Sequence, residues 1–293
     1  MDRRAFVASL AGLWLASCTP RGRQVSVGSK NFTEQLIIGE MLAQTIEGRT
    51  HPPIERRFYL AGTYICQQAI LAGRIDMYVE YTGTALSVIL KQPPQSDRAK
   101  VFEIVKKEYR ERFGLDVLPS LGFDNSFAMV MRADDARKDN QRTLSDLAAV
   151  APRMRMGVGY EFLERADGYP GLVSTYGLRF AEPPRVMDLG LIYRALQAKQ
   201  VDIVAGSNTD GLIAALGLVV LEDDRHYFPP YEAVPIVRPD VLHRYPQVRS
   251  ALNQLSGKIS VEDMRSLNYA VDGEKKDATQ VVSGFLAQRK LLA

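Results

Sequence analysis

The sequence predicts an α/β protein with two lobes of related architecture, and a repeated unit is the first observation behind this prediction. Residues 69–84 give the end of a helix, a strand in which Ile75, Met77 and Val79 alternate with polar residues, and a new helix beginning at Thr82. Residues 195–203 repeat this pattern at the same spacing and lead into a turn and helix start at 207–211. Each copy would direct a polar helix N-terminus at the space between the lobes.

Alternation of strands with helices is the second observation. It predicts parallel or mixed sheets, with ligands at the carboxyl ends of the strands. A crossing near residue 126 and a return near residue 225 predict lobe I at 25–125 plus 226–293 and lobe II at 126–225. The strands are predicted at Val25 to Val27, 54–60, 75–80, 115–118, 127–132, 156–158 and 218–221.

Capping patterns predict where several helices begin. Asn31 with Glu34, and Thr143 with Asp146, have the spacing of a capping box, and Asp97 precedes a charged helix. The first of these predicts a helix that begins near Asn31 and exposes free backbone N–H donors.

Composition limits the possible functions. The formal charge of the 293-residue chain is only +3, without basic runs, so a nucleic-acid partner is not expected. Three histidines and two cysteines show no metal-ligand spacing, and we expect neither a metal nor a cofactor.

The N-terminus indicates export. Arg3-Arg4 precedes the apolar run from Ala5 to Ala16, and Cys18 follows small residues. This resembles a bacterial lipoprotein signal peptide at 1–17, with Cys18 lipidated, a tether at 18–24, and the protein anchored outside the cytoplasm, in the periplasm or its equivalent. An ordinary secretory signal or a membrane-anchored start are the alternatives, and the paired arginines also resemble a twin-arginine signal. Cys66 would then be a buried small residue.

Catalysis has little support. The sequence has no G-x-S-x-G, P-loop or G-x-G-x-x-G motif, and no catalytic residue is predicted. Asp76 and Glu80 would lie about 13 Å apart on one strand face, too far to share a proton, so we expect them to be solvated or capping groups.

Aromatic residues near strand ends and helix starts indicate a different function. Tyr64, Tyr81, Phe127 and Tyr227 all stand beside turns or predicted helix N-termini. Ring faces attract a cation, and helix N-termini attract an anion. Together they suit a zwitterion, including one whose trimethylammonium group cannot donate hydrogen bonds.

Several motifs then resemble one family, the solute receptors of osmoprotectant ABC importers, which bind glycine betaine, choline, carnitine or similar quaternary amines. The resemblance runs from about residue 24 to the C-terminus. The motifs are Gly28-Ser-Lys-Asn-Phe-Thr-Glu-Gln35, Asp76-Met-Tyr-Val-Glu-Tyr-Thr-Gly-Thr84, Asp167-Gly-Tyr-Pro-Gly171, Thr209-Asp-Gly211, and Leu221-Glu-Asp-Asp224 with Phe228-Pro-Pro-Tyr231.

The resemblance implies a two-lobed, type II periplasmic-binding-protein fold that closes on a ligand in the cleft between its lobes. Tyr81 would be a wall of an aromatic cage, Thr84 a polar neighbour, and Phe127 and Tyr227 further cage positions. Asn208, Thr209 and Asp210 would line the opposing lobe. The full set of expected ligand-binding residues is Lys30, Asn31, Tyr64, Tyr81, Thr84, Phe127, Asn208, Thr209, Asp210 and Tyr227.

Three departures from the family pattern leave the solute open. Ser207 and Asn208 stand where many cage-bearing members have an aromatic residue, Phe127 lacks the hydroxyl of a tyrosine, and Lys30 puts a cation in the first loop. The expectation is a monomeric, non-enzymatic receptor for a glycine betaine-like solute, working with a separately encoded permease. The alternatives are an amino acid, a sulfonate or a trimethylated histidine derivative as solute, an envelope enzyme, or a scaffold without ligand.

Overall fold

The computed structural model describes residues 24–50 and 52–291. The predicted signal peptide, Cys18 and nearly all of the tether lie outside the described residues. Within the described part, the strands are β1 Val25–Gly28, β2 Ile54–Arg57, β3 Met77–Tyr81, β4 Asp116–Val117, β5 Phe127–Arg132, β6 Met156–Val158, β7 Arg185–Val186, β8 Ile203–Ser207, β9 Leu218–Val220 and β10 Ala233–Val237.

The helices connect these strands. They are α1 Thr33–Arg49, α2 Thr63–Leu71, α3 Thr82–Thr84, α4 Arg98–Glu108, α5 Ala133–Lys138, α6 Leu147–Val150, α7 Tyr160–Glu164, α8 Tyr169–Tyr176, α9 Ile192–Gln197, α10 Leu212–Ala215, α11 Pro239–Arg244, α12 Pro246–Asn253, α13 Val261–Asp272 and α14 Ala278–Gln288. Single π-helical turns extend α3 and α4, and a 3-10 turn follows α6.

Two mixed five-stranded sheets form two α/β lobes. Lobe I has the strand order β2-β1-β3-β10-β4, and lobe II has β7-β6-β8-β5-β9. In each sheet the central strand is parallel to one neighbour and antiparallel to the other. The antiparallel neighbour, β10 in lobe I and β5 in lobe II, is the first strand after a crossing. The chain passes into lobe II between β4 and β5 and returns between β9 and β10, and the two segments lie side by side, since Asn125 N donates to Tyr231 O at 3.0 Å.

The structure confirms the repeated unit. The α2-β3-α3 segment and the α9-β8-α10 segment each place their strand at the centre of a sheet. In each unit an aspartate directly before the strand accepts a hydrogen bond from a backbone N–H at the neighbouring parallel strand. The donor lies within β1 in lobe I and directly before β6 in lobe II. Asp76 accepts from Ser26 N at 2.8 Å, and Asp202 accepts from Arg155 N at 2.9 Å.

The prediction that Asp76 and Glu80 are solvated or capping groups was wrong. Asp76, directly before β3, is 3 % exposed, and Glu80 is fully buried within β3, whose residues are all buried. Helices cover both faces of this sheet, so its central strand has no face in contact with solvent. The alternation of apolar and polar residues in β3 therefore did not indicate an exposed face.

The capping prediction at Asn31 was also wrong. Helix α1 begins at Thr33, its N-cap residue is Phe32, and no side chain caps it. The Glu34 carboxylate turns into the protein instead. Asp97 does cap α4 through Lys100 N at 3.0 Å, and Thr143 and Asp146 exchange the two expected bonds ahead of α6.

Apolar side chains cover both faces of each sheet. In lobe I, residues of β1, α1 and α12 to α14 form one cluster, and Cys66, Tyr78 and Tyr109 belong to another. Cys66 is fully buried as expected, and burial raises the pKa of its thiol to about 12. Among the residues described, no helix combines the length and apolar character that crossing a bilayer requires.

Candidate functional site

The Glu34 carboxylate joins the two lobes at the carboxyl ends of their central strands. Its Oε1 accepts hydrogen bonds from the Tyr81 hydroxyl and from Asn125 Nδ2, each at 2.6 Å. Its Oε2 accepts from Asn268 Nδ2 at 3.2 Å, and the same amide donates to the Thr209 carbonyl of lobe II at 3.0 Å. Tyr81 and Thr209 therefore face one shared interface.

Burial governs the charge of this interface. It raises the pKa of Glu34, although hydrogen bonds from Thr209, Tyr81, Asn268 and Asn125 oppose the rise. Burial also raises the pKa of Asp210 to about 6, against hydrogen bonds from the Tyr193 hydroxyl and Ser207 N.

Asn208 lies beside this interface in lobe II. Its carbonyl accepts from Arg265 Nε of lobe I at 2.7 Å, which adds another bond between the lobes. Among the described residues, its side-chain Oδ1 is buried without a hydrogen-bond partner.

An aromatic cluster lies where the crossing segments meet the lobes. The Phe127 ring centroid is 4.8 Å from that of Phe162, 5.5 Å from Tyr231 and 5.7 Å from Phe228. Tyr81 and Tyr231 are buried in the same lobe I cluster, against which Phe127 and Phe228 also pack. Several ring faces and edges are thus brought together within one small volume.

Arg165 connects this cluster to both lobes. Its Cζ lies 5.1 Å from the Phe127 ring centroid and 5.8 Å from that of Tyr231. Two nitrogens donate to the Asp167 carboxylate at 2.8 and 2.6 Å, and Nη2 donates to Thr84 Oγ1 of lobe I at 3.1 Å. Burial alone would lower the pKa of Arg165, but the bonds to Asp167 raise it above its ordinary value, so the guanidinium stays charged.

A second cation lies beside the Tyr81 ring. Lys30 Nζ is 4.9 Å from the Tyr81 ring centroid and 2.5 Å from Glu80 Oε1. The Lys30 side chain is 3 % exposed and that of Glu80 is fully buried, so a buried ion pair adjoins the Tyr81 ring.

Glu161 forms another contact between the lobes. Its Oε1, on α7 of lobe II, accepts from Thr63 N at the start of α2 in lobe I at 2.8 Å. A Cβ on Gly62 would lie only 2.0 Å from the same oxygen. A carboxylate at a helix N-terminus is favourable electrostatically, and here it holds the lobes together.

Other expected site residues lie further out. Asn31 is exposed, and its backbone N donates to Ala61 O at 3.1 Å. Tyr64 is 51 % exposed and its hydroxyl accepts from Lys91 Nζ at 2.6 Å. Tyr227 donates to the carbonyls of Ala166 and Gly168 at 3.1 Å, so it fixes the returning segment to lobe II.

Several interface residues were missed from the sequence. Glu34 was interpreted as part of a capping box and of a family motif but not as a site residue, and Arg165 precedes the turn motif that begins at Asp167. Glu161 and Asn268 lie on helices whose sequences indicated no function. Tyr231 could have been predicted, because it is an aromatic residue beside a double proline, as Tyr227 is.

The structure gives no cluster of three or more His, Cys, Asp or Glu side chains suited to a metal ion within 24–50 and 52–291. A hollow of about 860 Å³ lies elsewhere, between α13 and α14, and none of the expected site residues lines it. The candidate site is therefore defined by the contacts between the lobes.

The sequence profile of one family, the substrate binding domain of the ABC-type glycine betaine transport system, matches residues 23–288. This chain belongs to that family. Its members are substrate-binding components of ABC transporters, which are transport proteins rather than enzymes and act outside the cytoplasm. The recognised family and the two-lobed binding-protein fold are thereby confirmed.

Individual relatives agree with this assignment. The receptor is 35 % identical over 286 residues to the carnitine transport binding protein OpuCC of Listeria monocytogenes, covering 94 % of this chain and 92 % of the relative. It is 35 % identical over 287 residues to the ergothioneine transport permease/ergothioneine binding protein EgtU of Helicobacter pylori, covering 96 % of this chain and 50 % of the relative. A crystal structure described as a glycine betaine/carnitine/choline ABC transporter superposes with a TM-score of 0.76 at 33 % identity, covering 92 % of this chain and all of the other.

Proposed function

We propose that this receptor binds a small quaternary amine or zwitterion, of the glycine betaine or carnitine type, between its lobes and delivers it unchanged to a membrane permease. The observation that supports this most is the bond from Arg165 to Thr84 across the lobes, beside the rings of Phe127 and Tyr231. One small volume thus offers ring faces to a cation and N–H and O–H donors to an anion.

The two ends of such a solute have different requirements. A trimethylammonium group cannot donate hydrogen bonds, and each ring contact contributes about 0.5 to 2 kcal/mol. The rings of Tyr81 and Tyr231, with Phe127 packed against the same cluster, would supply these contacts. A carboxylate would take donors from Arg165 and Thr84.

Closure of the lobes is the proposed binding mechanism. We place the hinge in the adjacent crossing segments, with lobe I at 25–125 and 226–293 and lobe II at 126–225. A solute that contacts both lobes binds the closed form more tightly and shifts the population toward it. A micromolar Kd corresponds to about −8 kcal/mol, within reach of a few ring contacts and charge-assisted hydrogen bonds after ordering costs.

A second candidate solute is ergothioneine, a trimethylated histidine derivative, because one relative is named for its transport. A thermal-shift screen over glycine betaine, carnitine, choline, ergothioneine, amino acids and sulfonates separates these possibilities. A solute that binds only the folded protein raises its Tm. If only an amino acid or a sulfonate did so, the quaternary-amine assignment would be wrong.

We propose further that the receptor is a monomer with no nucleic-acid partner, anchored through a lipid on Cys18. Replacement of Cys18 by serine should move the protein from the membrane fraction to the soluble extracytoplasmic fraction. Retention of Cys18→Ser in the membrane would instead indicate an uncleaved anchor.

We also propose that the solute leaves chemically unchanged. The Cys66 thiol is unsuited to nucleophilic attack, since it is fully buried and its pKa is raised to about 12. Turnover of glycine betaine or carnitine during prolonged incubation would favour the alternative of an envelope enzyme.

Tyr81→Ala should weaken solute binding more than Phe127→Ala does. Tyr81 supplies a buried ring and also donates to Glu34, whereas Phe127 is half-buried and supplies only its ring. We expect calorimetry to show at least a tenfold larger Kd for Tyr81→Ala than for Phe127→Ala. The control is Phe113→Ala. Phe113 is a half-buried aromatic residue that packs against the other lobe I cluster, the one that contains Cys66 and Tyr78. Unchanged affinity in Tyr81→Ala would reject the role of Tyr81 as a wall of the site.

A further inference from the structure

The buried pair Lys30 and Glu80 is incompletely bonded. Glu80 Oε1 accepts from Lys30 Nζ at 2.5 Å and from Tyr81 N at 2.7 Å, whereas Glu80 Oε2 has no hydrogen-bond partner among the described residues. By contrast, both carboxylate oxygens of Asp167 are paired with Arg165. A buried ion pair stabilises a fold only when its remaining polar atoms are also satisfied, so stability alone does not account for this pair.

The second lobe shows that the shared architecture does not require this carboxylate. Tyr81 pairs with Ala233, the first residue of β10, and Ser207 pairs with Phe127, the first residue of β5. The residue before Ser207, and thus the counterpart of Glu80, is Gly206. The same central strand is therefore built in lobe II without any charged side chain at this position.

The position of Lys30 explains what such a carboxylate would do. The Lys30 ammonium lies 4.9 Å from the centroid of the Tyr81 ring, the ring expected to contact the cationic end of the solute. A single buried charge a few ångströms from a charged ligand changes affinity by orders of magnitude, because solvent screens it weakly. A carboxylate 2.5 Å from the ammonium cancels most of this effect.

We propose that Glu80 determines the charge class of the accepted solute by neutralising Lys30. This inference rests on the proposed function. With Glu80 present, the wall beside Tyr81 is neutral, and a net cation can occupy the same site as a zwitterion. Without Glu80, the positive charge of Lys30 would exclude net cations and favour solutes that carry a carboxylate. Glu80 is thus a positioning residue that acts through Lys30.

The test uses two probes that share the trimethylammonium group and differ in net charge. Choline carries one positive charge, and glycine betaine is a zwitterion. Calorimetry gives the ratio of the Kd for choline to the Kd for glycine betaine in each variant of the mature chain. We expect Glu80→Gln to raise this ratio at least tenfold and Lys30→Gln to lower it, whereas Lys30→Gln combined with Glu80→Gln should return it toward the wild-type value.

Controls separate charge from structure. Glu182→Gln removes a carboxylate from an exposed pair with Arg185 and should leave the ratio unchanged. Lys30→Gln shifts the ratio in the opposite direction, so it tests the proposal even if Glu80→Gln alone folds poorly, and an unchanged ratio in Lys30→Gln would also overturn it. Equal weakening of both probes by Glu80→Gln, with an unchanged ratio, would overturn the proposal. If the folded wild-type protein bound neither probe, the proposed function itself would fall, and this inference with it.

Discussion

Gly211→Ala should reduce solute affinity at least a hundredfold while the two lobes remain folded. Gly211 stands in lobe II at the start of α10 with φ −65° and ψ −24°, a conformation that alanine adopts without strain. An added Cβ would lie 2.5 Å from the Arg265 carbonyl oxygen and 2.6 Å from Tyr269 N, both in α13 of lobe I. Backbone atoms of a helix cannot move aside as a flexible side chain can, so the lobes must separate.

The expected loss follows from the coupling of binding to closure. A solute that contacts both lobes loses most of its binding free energy when the lobes are kept apart, and a hundredfold change in Kd is about 2.7 kcal/mol. Gly284→Ala in α14 is the matched control, because no atom lies within 4 Å of its added Cβ. Calorimetry with the solute identified in the screen gives both affinities. Wild-type affinity in Gly211→Ala would show that binding does not require this contact between α10 and α13.

Arg165→Met should reduce both stability and solute affinity. The Asp167 carboxylate is fully buried. Without Arg165, the hydrogen-bond donor that remains to it among the described residues is the Tyr231 hydroxyl, at 2.8 Å. Removal of one partner from a buried ion pair costs about 3 to 5 kcal/mol. The substitution also removes the donor to Thr84 and the cation beside Phe127, which we expect to hold the anionic end of the solute.

A double variant separates the two effects. Arg165→Met with Asp167→Asn removes both buried charges, so it should regain most of the lost stability in urea unfolding without regaining solute affinity. Arg185→Met, which breaks an exposed pair with Glu182, should change stability by no more than about 1 kcal/mol. Wild-type affinity in the double variant would show that Arg165 is a structural residue only.

The fold could be predicted from the sequence because its signals are local and repeated. Asp76 and Asp202 stand at the same place ahead of their strands, and this spacing revealed the duplication. The structure gives the reason for the shared residue, because each aspartate accepts a hydrogen bond from a backbone N–H at the neighbouring strand. Strands β5 and β6 were predicted at their observed bounds for the same reason: each is a short apolar run between turn residues.

The candidate site could be predicted only in part, because its contacts are not local. Glu34 contacts Asn268, 234 positions away, and Arg165 contacts Thr84, 81 positions away. The spacing of Asn31 and Glu34 satisfied a local rule for helix caps. In the fold, however, the Glu34 carboxylate accepts hydrogen bonds from Tyr81 and Asn125 instead of capping the helix. Strand periodicity likewise could not show that helices cover both faces of β3, which is why Glu80 was expected to be a solvated or capping group.

Calorimetric titration of wild-type protein from residue 24 onward with glycine betaine and with carnitine tests the central claim most directly. We expect saturable one-to-one binding of at least one of them, with a Kd near the micromolar range, and recovery of the solute in its original form. Saturation by neither, from protein that unfolds cooperatively in the same buffer, would contradict the claim that the two lobes close on a small quaternary amine.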